Sequence, residues 1–381
     1  MSFAGPIANR LSTTGANTCH VQELRQNASL YLDKSNVLYG PSKSGKTVYT
    51  KHIMNLLRPF IEQILVVAPT EPTNQSDVDC VPRPMMHYQC KFEGAVNEKG
   101  KLLEGKPAVM DFLGKIILRQ QMLSEIHAKV SNPQVLQSLY AKCRNPAGDN
   151  ILRAFAAKRR AQLAEAQRRA ASPTEAGDAT KKINDLFDQM ETTILKKFVG
   201  AFRGEFLAGK RGKLTEDQKY TLEYLNLNHR LLLIFDDCAA ELKPYFRTEQ
   251  FRKLFYQGRH IGVTLIMCCQ DDTDLDLNLR KNVFIAFYMT AEVAIAAFNR
   301  AGILKSTRDY VNEIIPVVYG EPFRKLVFIR DDKAKFYHTI VPVPPRFRFG
   351  SPELWRLCER IGAAKGKLDT TNPYYDRFKL E

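Results

Sequence analysis

Apolar positions along the chain follow two rhythms. Continuous runs occur at Asn36-Val37-Leu38-Tyr39, Gln63 to Ala68, Leu231 to Phe235, Val263 to Cys269 and Val283 to Tyr288. Short unbroken runs of this kind predict strands buried on both faces. Val48 to Leu57 reads as a helix stopped near Pro59, and Pro69 ends the run after it. Two apolar runs joined by one helix predict a parallel pair, and so an α/β fold with a mostly parallel sheet. Between about 105 and 215 the rhythm changes. Ile116, Leu118, Met122, Ile126 and Val130 recur at helical spacing. A second helix runs from Ile151 through Arg169, Ala171-Ser172-Pro173 and Gly177 break it, and another runs from Lys181 to Phe198. Leu326 to Arg330 and Ala334 to Val341 predict a closing hairpin, and Met85 to Cys90 a short strand.

These shifts divide the chain into five segments: an arm at 1–30, a first core part at 31–95, a helical insertion at 96–222, a second core part at 223–345 and a tail at 346–381. The length of 381 residues allows one large or two ordinary domains.

Composition adds a partner class. With 56 Lys+Arg against 41 Asp+Glu the formal charge is +15, which favours a polyanion, most simply nucleic acid. Residues 151–215 hold 14 Lys+Arg and 7 Asp+Glu, a local +7. Lys158, Arg159, Arg160, Arg168 and Arg169 are the candidate phosphate contacts there; a solvated helix face is the other reading. The eight cysteines form no C-x-x-C, and His87 between Cys80 and Cys90 lacks a second close pair. This predicts a reducing intracellular compartment and no structural metal. The sequence has no signal-peptide pattern and no apolar run of membrane-spanning length, and Ser2 excludes myristoylation. A soluble protein without a transmembrane segment is expected.

One motif organises the chemistry. Gly40-Pro41-Ser42-Lys43-Ser44-Gly45-Lys46-Thr47 matches G-x-x-x-x-G-K-[ST] between a strand and a helix. Such a turn aims backbone N–H groups at phosphate, helped by the helix N-terminus. Lys46 would reach the β- and γ-phosphates of ATP, and the Thr47 hydroxyl would hold Mg²⁺. The later strands extend this site. Asp236 ends an apolar run, where a carboxylate would bind the metal through its water shell. Asp237 follows and could polarise the attacking water, or cap a helix. Gln270 ends the next run and would lie beside the nucleotide if its strand sits between the strands ending at Gly40 and Asp236. Arg259 is the candidate for acting on a neighbour's nucleotide, with Arg280 and Arg300 as rivals. Lys46 and Asp236 are 190 positions apart, whereas a small-molecule kinase would have the second acidic strand close by.

At Tyr39 to Thr47, Val66 to Thr70, Leu232 to Cys238, Gly258 to Gln270 and Leu279 to Asn282 the chain resembles the viral genome-packaging ATPases of the FtsK–HerA superfamily, such as those of poxviruses, iridoviruses and related virus-like transposons. Arg324 to Phe328 with Lys335-Phe336-Tyr337 is similar to their closing hairpin. The resemblance spans about 31–72 and 225–342 and leaves out the helical region. It implies a RecA-like P-loop NTPase core, a homo-oligomeric ring (pentamer or hexamer) and ATP hydrolysis between subunits. It further implies that double-stranded DNA is driven into a capsid with a portal-vertex or other capsid protein as partner. The implied location is inside the infected host, in a viral factory or the nucleus, with association with the virion. A cellular DNA pump, a helicase of the same superfamily and a nucleotide-dependent scaffold remain as alternatives. Many family members have Glu where this chain has Asp237.

Overall fold

The computed structural model describes residues 10–13, 19–70, 77, 79–87, 108–170 and 172–365. It divides into two compact units. The sheet unit comprises residues up to Gln121 and from Arg230 onward, and the helical unit is Met122–His229.

Among the described residues the sheet unit holds ten strands: β1 Arg10–Ser12, β2 His20–Glu23, β3 Ser35–Tyr39, β4 Gln63–Val67, β5 Met86–His87, β6 Leu231–Asp236, β7 Val263–Cys269, β8 Ile285–Tyr288, β9 Arg324–Ile329 and β10 Phe336–Ile340. Their order across the sheet is β1-β2-β10-β9-β8-β3-β7-β6-β4-β5. From β8 through β3, β7, β6 and β4 to β5 every pairing is parallel. The antiparallel pairs are β8–β9, β9–β10 and β1–β2. The strand β7 therefore lies between the strand before the glycine-rich loop and the strand that ends at Asp236. That insertion is the RecA-like P-loop ATPase arrangement which the resemblance implied.

The apolar runs are explained by two cores on opposite faces of the sheet. Val37, Tyr39, Leu231, Leu233, Phe235, Leu265 and Met267 enter one core. Leu38, Leu232, Ile234, Ile266 and Cys268 enter the other, with Tyr49, Ile53, Met54 and Leu57 of the helix after the loop. Since neighbouring strand residues face opposite ways, a strand covered on both faces must be apolar at every position. The strands β3 and β7 are buried at every residue.

The segment read as an arm carries β1 and β2. Gln22 and Glu23 of β2 pair in parallel with Tyr337 and His338 of β10. Their partner lies more than 300 positions away, so no local pattern announces them. The short strand expected at Met85 to Cys90 is Met86–His87 within the described residues, and positions 88–90 lie outside them. The helix Lys305–Val318, with Pro316 inside it, was not read from the sequence.

In the helical unit the main elements are Pro133–Lys142, Pro146–Arg169, Pro173–Ala201 and Glu216–Glu223, entered along the helix Ala108–Val130. Val130, Leu136, Leu139, Leu195, Val199, Phe206 and Leu222 form its core. The expected break at Gly177 and start near Lys181 are corrected: the helix begins at Pro173 and runs through Gly177 without interruption. Ser172 accepts from the Glu175 N–H, and this N-cap, with Pro173 at the first helical position, fixes the start. An exposed glycine weakens such a helix by only ~1 kcal/mol, which 29 residues with an apolar stripe absorb.

Candidate functional site

Strand parity places the site. Asn36, Leu38 and Gly40, Leu232, Ile234 and Asp236, and Ile266, Cys268 and Gln270 are alternate positions on adjacent parallel strands. The buried apolar members of each series all lie on the face covered by the helix Lys46–Leu57. Gly40, Asp236 and Gln270 thus leave the same edge of the sheet, the carboxyl edge, where open α/β sheets bind ligands.

At that edge the loop needs its glycines. A Cβ on Gly40 would lie 2.6 Å from both Met289 Cβ and Ser44 Oγ. Gly45 adopts φ +97° at the N-cap of the helix, a conformation side chains rarely allow. Lys46 is buried, and its ammonium donates to the carbonyls of Gly40 and Pro41, the latter at 3.0 Å. The Ser44 hydroxyl is buried with no hydrogen-bond partner among the described residues. A loop closed around its own lysine, a helix N-terminus and an orphaned hydroxyl fit a phosphate chain. Pro41, Ser42 and Lys43 are exposed at its rim.

The helix reaches the acidic strand through one contact chain. Thr50, one turn after Thr47, lies 3.4 Å from Cys268 Sγ. Asp236 pairs with Cys268 across β6 and β7. Burial, then the Asp236 charge beside it, pushes the Cys268 thiol well above its ordinary range. Asp236 thus ends its strand beside the helix that carries Thr47 in its first turn, and these two are the residues expected to hold Mg²⁺ bound with a nucleotide.

Asp237 would by parity point to the opposite face. Instead it turns: its φ is +52°, left-handed for a non-glycine residue. Such geometry costs of order 1–3 kcal/mol and concentrates at functional sites. The turn brings its carboxylate to Gln270, whose Nε2 donates to Asp237 Oδ1 at 3.4 Å. Both side chains are exposed. Below them, the Gln270 and Asp271 N–H groups donate to Asp274 Oδ2 at 2.9 and 3.0 Å, which fixes where Gln270 leaves its strand.

The three arginines separate. Arg280 and Arg300 both hold buried Asp272, with contacts of 2.9 and 2.5 Å, and Arg300 also reaches Asp271 at 3.0 Å. Burial and a hydrogen bond to the Asp271 carboxylate raise the Asp272 carboxyl, partly offset by Arg300 and Arg280. Arg259 is exposed in a short 3-10 turn before β7, at the amino edge of the sheet. Seven residues of β7 separate it from Gln270, about 23 Å at strand rise. It is therefore not brought together with the loop of its own chain.

The basic residues of Pro146–Arg169 do not form one stripe. At ~100° per residue, Lys158 and Arg169 share one side, while Arg160 and Arg168 lie on others. Arg159 is committed within the unit: it donates to Asn184 Oδ1 and to Asp188 Oδ1 at 2.7 Å. Arg169 pairs with Glu165 one turn away. Sequence reading missed Met289, which packs on Gly40 and donates its N–H to the Tyr39 carbonyl at 2.8 Å. Its signal was its place directly after the run Val283 to Tyr288.

No protein-family model matches the chain. An African swine fever virus protein, "uncharacterized protein B354L", is 41% identical over 364 residues, covering 94% of this chain and 97% of that protein. The chain belongs to the B354L family. Among solved structures, the plasmid coupling protein TrwB in complex with a GTP analogue is similar at 12% identity and TM-score 0.36. It covers 92% of this chain and 99% of its own. The genome packaging NTPase B204 of Sulfolobus turreted icosahedral virus 2, in complex with ATP-gammaS, aligns at 11% identity and TM-score 0.31, over 82% of this chain and 99% of that one. The fold assignment rests on strand order. Among the described residues no helix is long and apolar enough to cross a membrane.

Proposed function

We propose that this B354L-family protein is an ATP-driven motor that moves double-stranded DNA into a preformed viral capsid. The observation that carries the reading is the meeting of Asp237 and Gln270 at the edge where the glycine-rich loop and Asp236 emerge. In this reading the backbone of Gly40 to Thr47 and the Lys46 ammonium hold the phosphates of ATP. Thr47 and Asp236 would hold Mg²⁺, which would supply neutralisation of the charge on the phosphates. Asp237 accepts a proton from the attacking water, and Gln270 orients that water and senses loss of the γ-phosphate. A kinase that passes phosphate to a metabolite has no need of a strained acid beside a glutamine at this edge.

Arg259 supports a ring. It is too far from its own loop to act in cis, so the site where it can serve is a neighbour's, in a pentamer or hexamer of head-to-tail subunits. An arginine supplied in this way contributes a factor of roughly 10³–10⁵ to turnover in related chemistry. The charge of +15 suits a DNA duplex as partner, and the exposed Lys158, Arg160 and Arg168 of the helical unit would add to its attraction for phosphate. The viral relatives suit a role inside the infected cell, with a capsid or portal-vertex protein as partner.

The test is ATP turnover and displacement of a triplex-forming strand from linear duplex DNA. Wild-type protein is expected to hydrolyse ATP faster with DNA and to displace the strand, and Lys46→Ala to do neither. Hydrolysis indifferent to duplex DNA, with no displacement, would remove the motor and leave a nucleotide-dependent scaffold.

A further inference from the structure

Phosphates and metal occupy only one part of a nucleotide. With Asp236 on the β7–β6 side of the loop, the opposite side, over β8 and β9, is open to the base. At the carboxyl edge of that side stands Phe323, which nothing above uses. It is 76% exposed, among the most exposed large apolar side chains of the described residues. Its φ is +66°, a rare conformation for a bulky residue.

The segment that carries Phe323 is tied to the glycine-rich loop. Leu326 lies opposite Tyr288, and Tyr288 opposite Tyr39, so Phe323 projects past the level at which the loop begins. Two strand spacings, about 10 Å, separate it laterally from β3. Lys325 Nζ donates to the Met289 carbonyl at 2.7 Å, and Met289 is the side chain packed on Gly40. The turn is fastened from behind as well. Arg324 pairs with Glu321 at 2.8 Å across the turn. An exposed ring on a fastened, strained turn is a pre-positioned flat surface.

We propose that Phe323 is the platform on which the base of the bound nucleotide stacks. The proposal rests on the nucleotide-site reading of Gly40 to Thr47. A ring contacts the face of a base and not its hydrogen-bonding edge, so the platform takes purines without choosing between them.

The experiment is calorimetric titration of wild type, Phe323→Ala, Phe323→Trp and Phe323→Asn with Mg-ATP, Mg-GTP and inorganic tripolyphosphate. Phe323→Ala is expected to weaken ATP and GTP by a similar factor, roughly ten-fold from stacking energies on aromatic side chains, and to leave tripolyphosphate unchanged. Phe323→Trp should keep ATP affinity. Phe323→Asn should lose it as the alanine does, yet melt higher than wild type, because asparagine tolerates the left-handed region. Unchanged ATP affinity in Phe323→Ala, or equal weakening of ATP and tripolyphosphate, overturns the platform alone. A wild-type protein that binds neither ligand overturns the nucleotide site and the platform with it.

Discussion

The sheet unit and the helical unit put their polar residues to different uses. In the sheet unit the central strands are mostly apolar, with a few buried polar residues such as Asn36 and Thr264, and the polar side chains of the candidate site gather where strands end. Asp236, Asp237, Gln270 and the loop after Tyr39 all stand at one edge, so the order of strands decides what meets what. In the helical unit polar residues are spread along long helices and are mostly used locally. Arg159 clamps Asn184 and Asp188, Arg144 takes Asp149 at 2.8 Å, and Arg211 takes Glu205 at 2.7 Å. Chemistry at an edge depends on single atoms, whereas a charged helix surface acts through the sum of its charges. Substitutions in the two units should therefore leave different signatures.

The largest effect is expected at the edge. Lys46→Ala removes the cation aimed at the phosphates and should lower turnover by roughly 10²–10³-fold, measured as phosphate release with DNA present. Loss of less than ten-fold would detach the loop from the chemistry. In the helical unit the largest expected effect is on folding. Phe187 is 1% exposed and packs on Phe155 with ring centroids 4.9 Å apart. Phe187→Ala should destabilise that unit by ~3–5 kcal/mol in urea unfolding, with ATP affinity intact. Equal loss of both would mean that the two units do not respond separately.

A smaller effect follows from charge. Neutralising Lys158, Arg160 and Arg168 together should reduce the slope of log affinity for duplex DNA against log salt by about three, near one per lost phosphate contact. Adding Arg159→Ala should instead cost stability, because its partners lie within the unit. An unchanged slope would make these residues a solvated face.

The smallest effect tests packing behind the loop. His52 lies in the helix that follows the loop, buried, with Nε2 lacking a hydrogen-bond partner among the described residues. Burial lowers its pKa from 6.5, so the unfolded chain binds the proton more readily. Stability should then be fully present above pH 6.5, fall as pH drops through that value, and level off below the folded pKa. Denaturant midpoints of wild type and His52→Asn from pH 8 to pH 5 check this, since the variant should lose the added dependence.

The same contrast explains what could be read in advance. The loop and the apolar strands announce themselves over a few residues, because full burial on two faces demands unbroken apolar runs. Parity then put Asp236 and Gln270 on the face of the loop helix once β7 was known to lie between β3 and β6. That order is a long-range fact, as is the pairing of β2 with β10. The turn at Asp237 could be imagined from a strand end, but its left-handed backbone could not be read from residue type. Gly177 looked like a helix breaker, and the capped, long helix overrode it. Phe323 carried no local signal, for its interest lies in the edge it stands on.

The most direct measurement pairs binding with turnover in Asp237→Asn. Its ATP affinity should match wild type, because the loop and Asp236 are untouched, while DNA-stimulated phosphate release should fall by roughly 10²–10⁴-fold, the range for loss of a general base. Turnover within a few-fold of wild type at unchanged affinity would contradict the assignment of this edge as the place where ATP is hydrolysed.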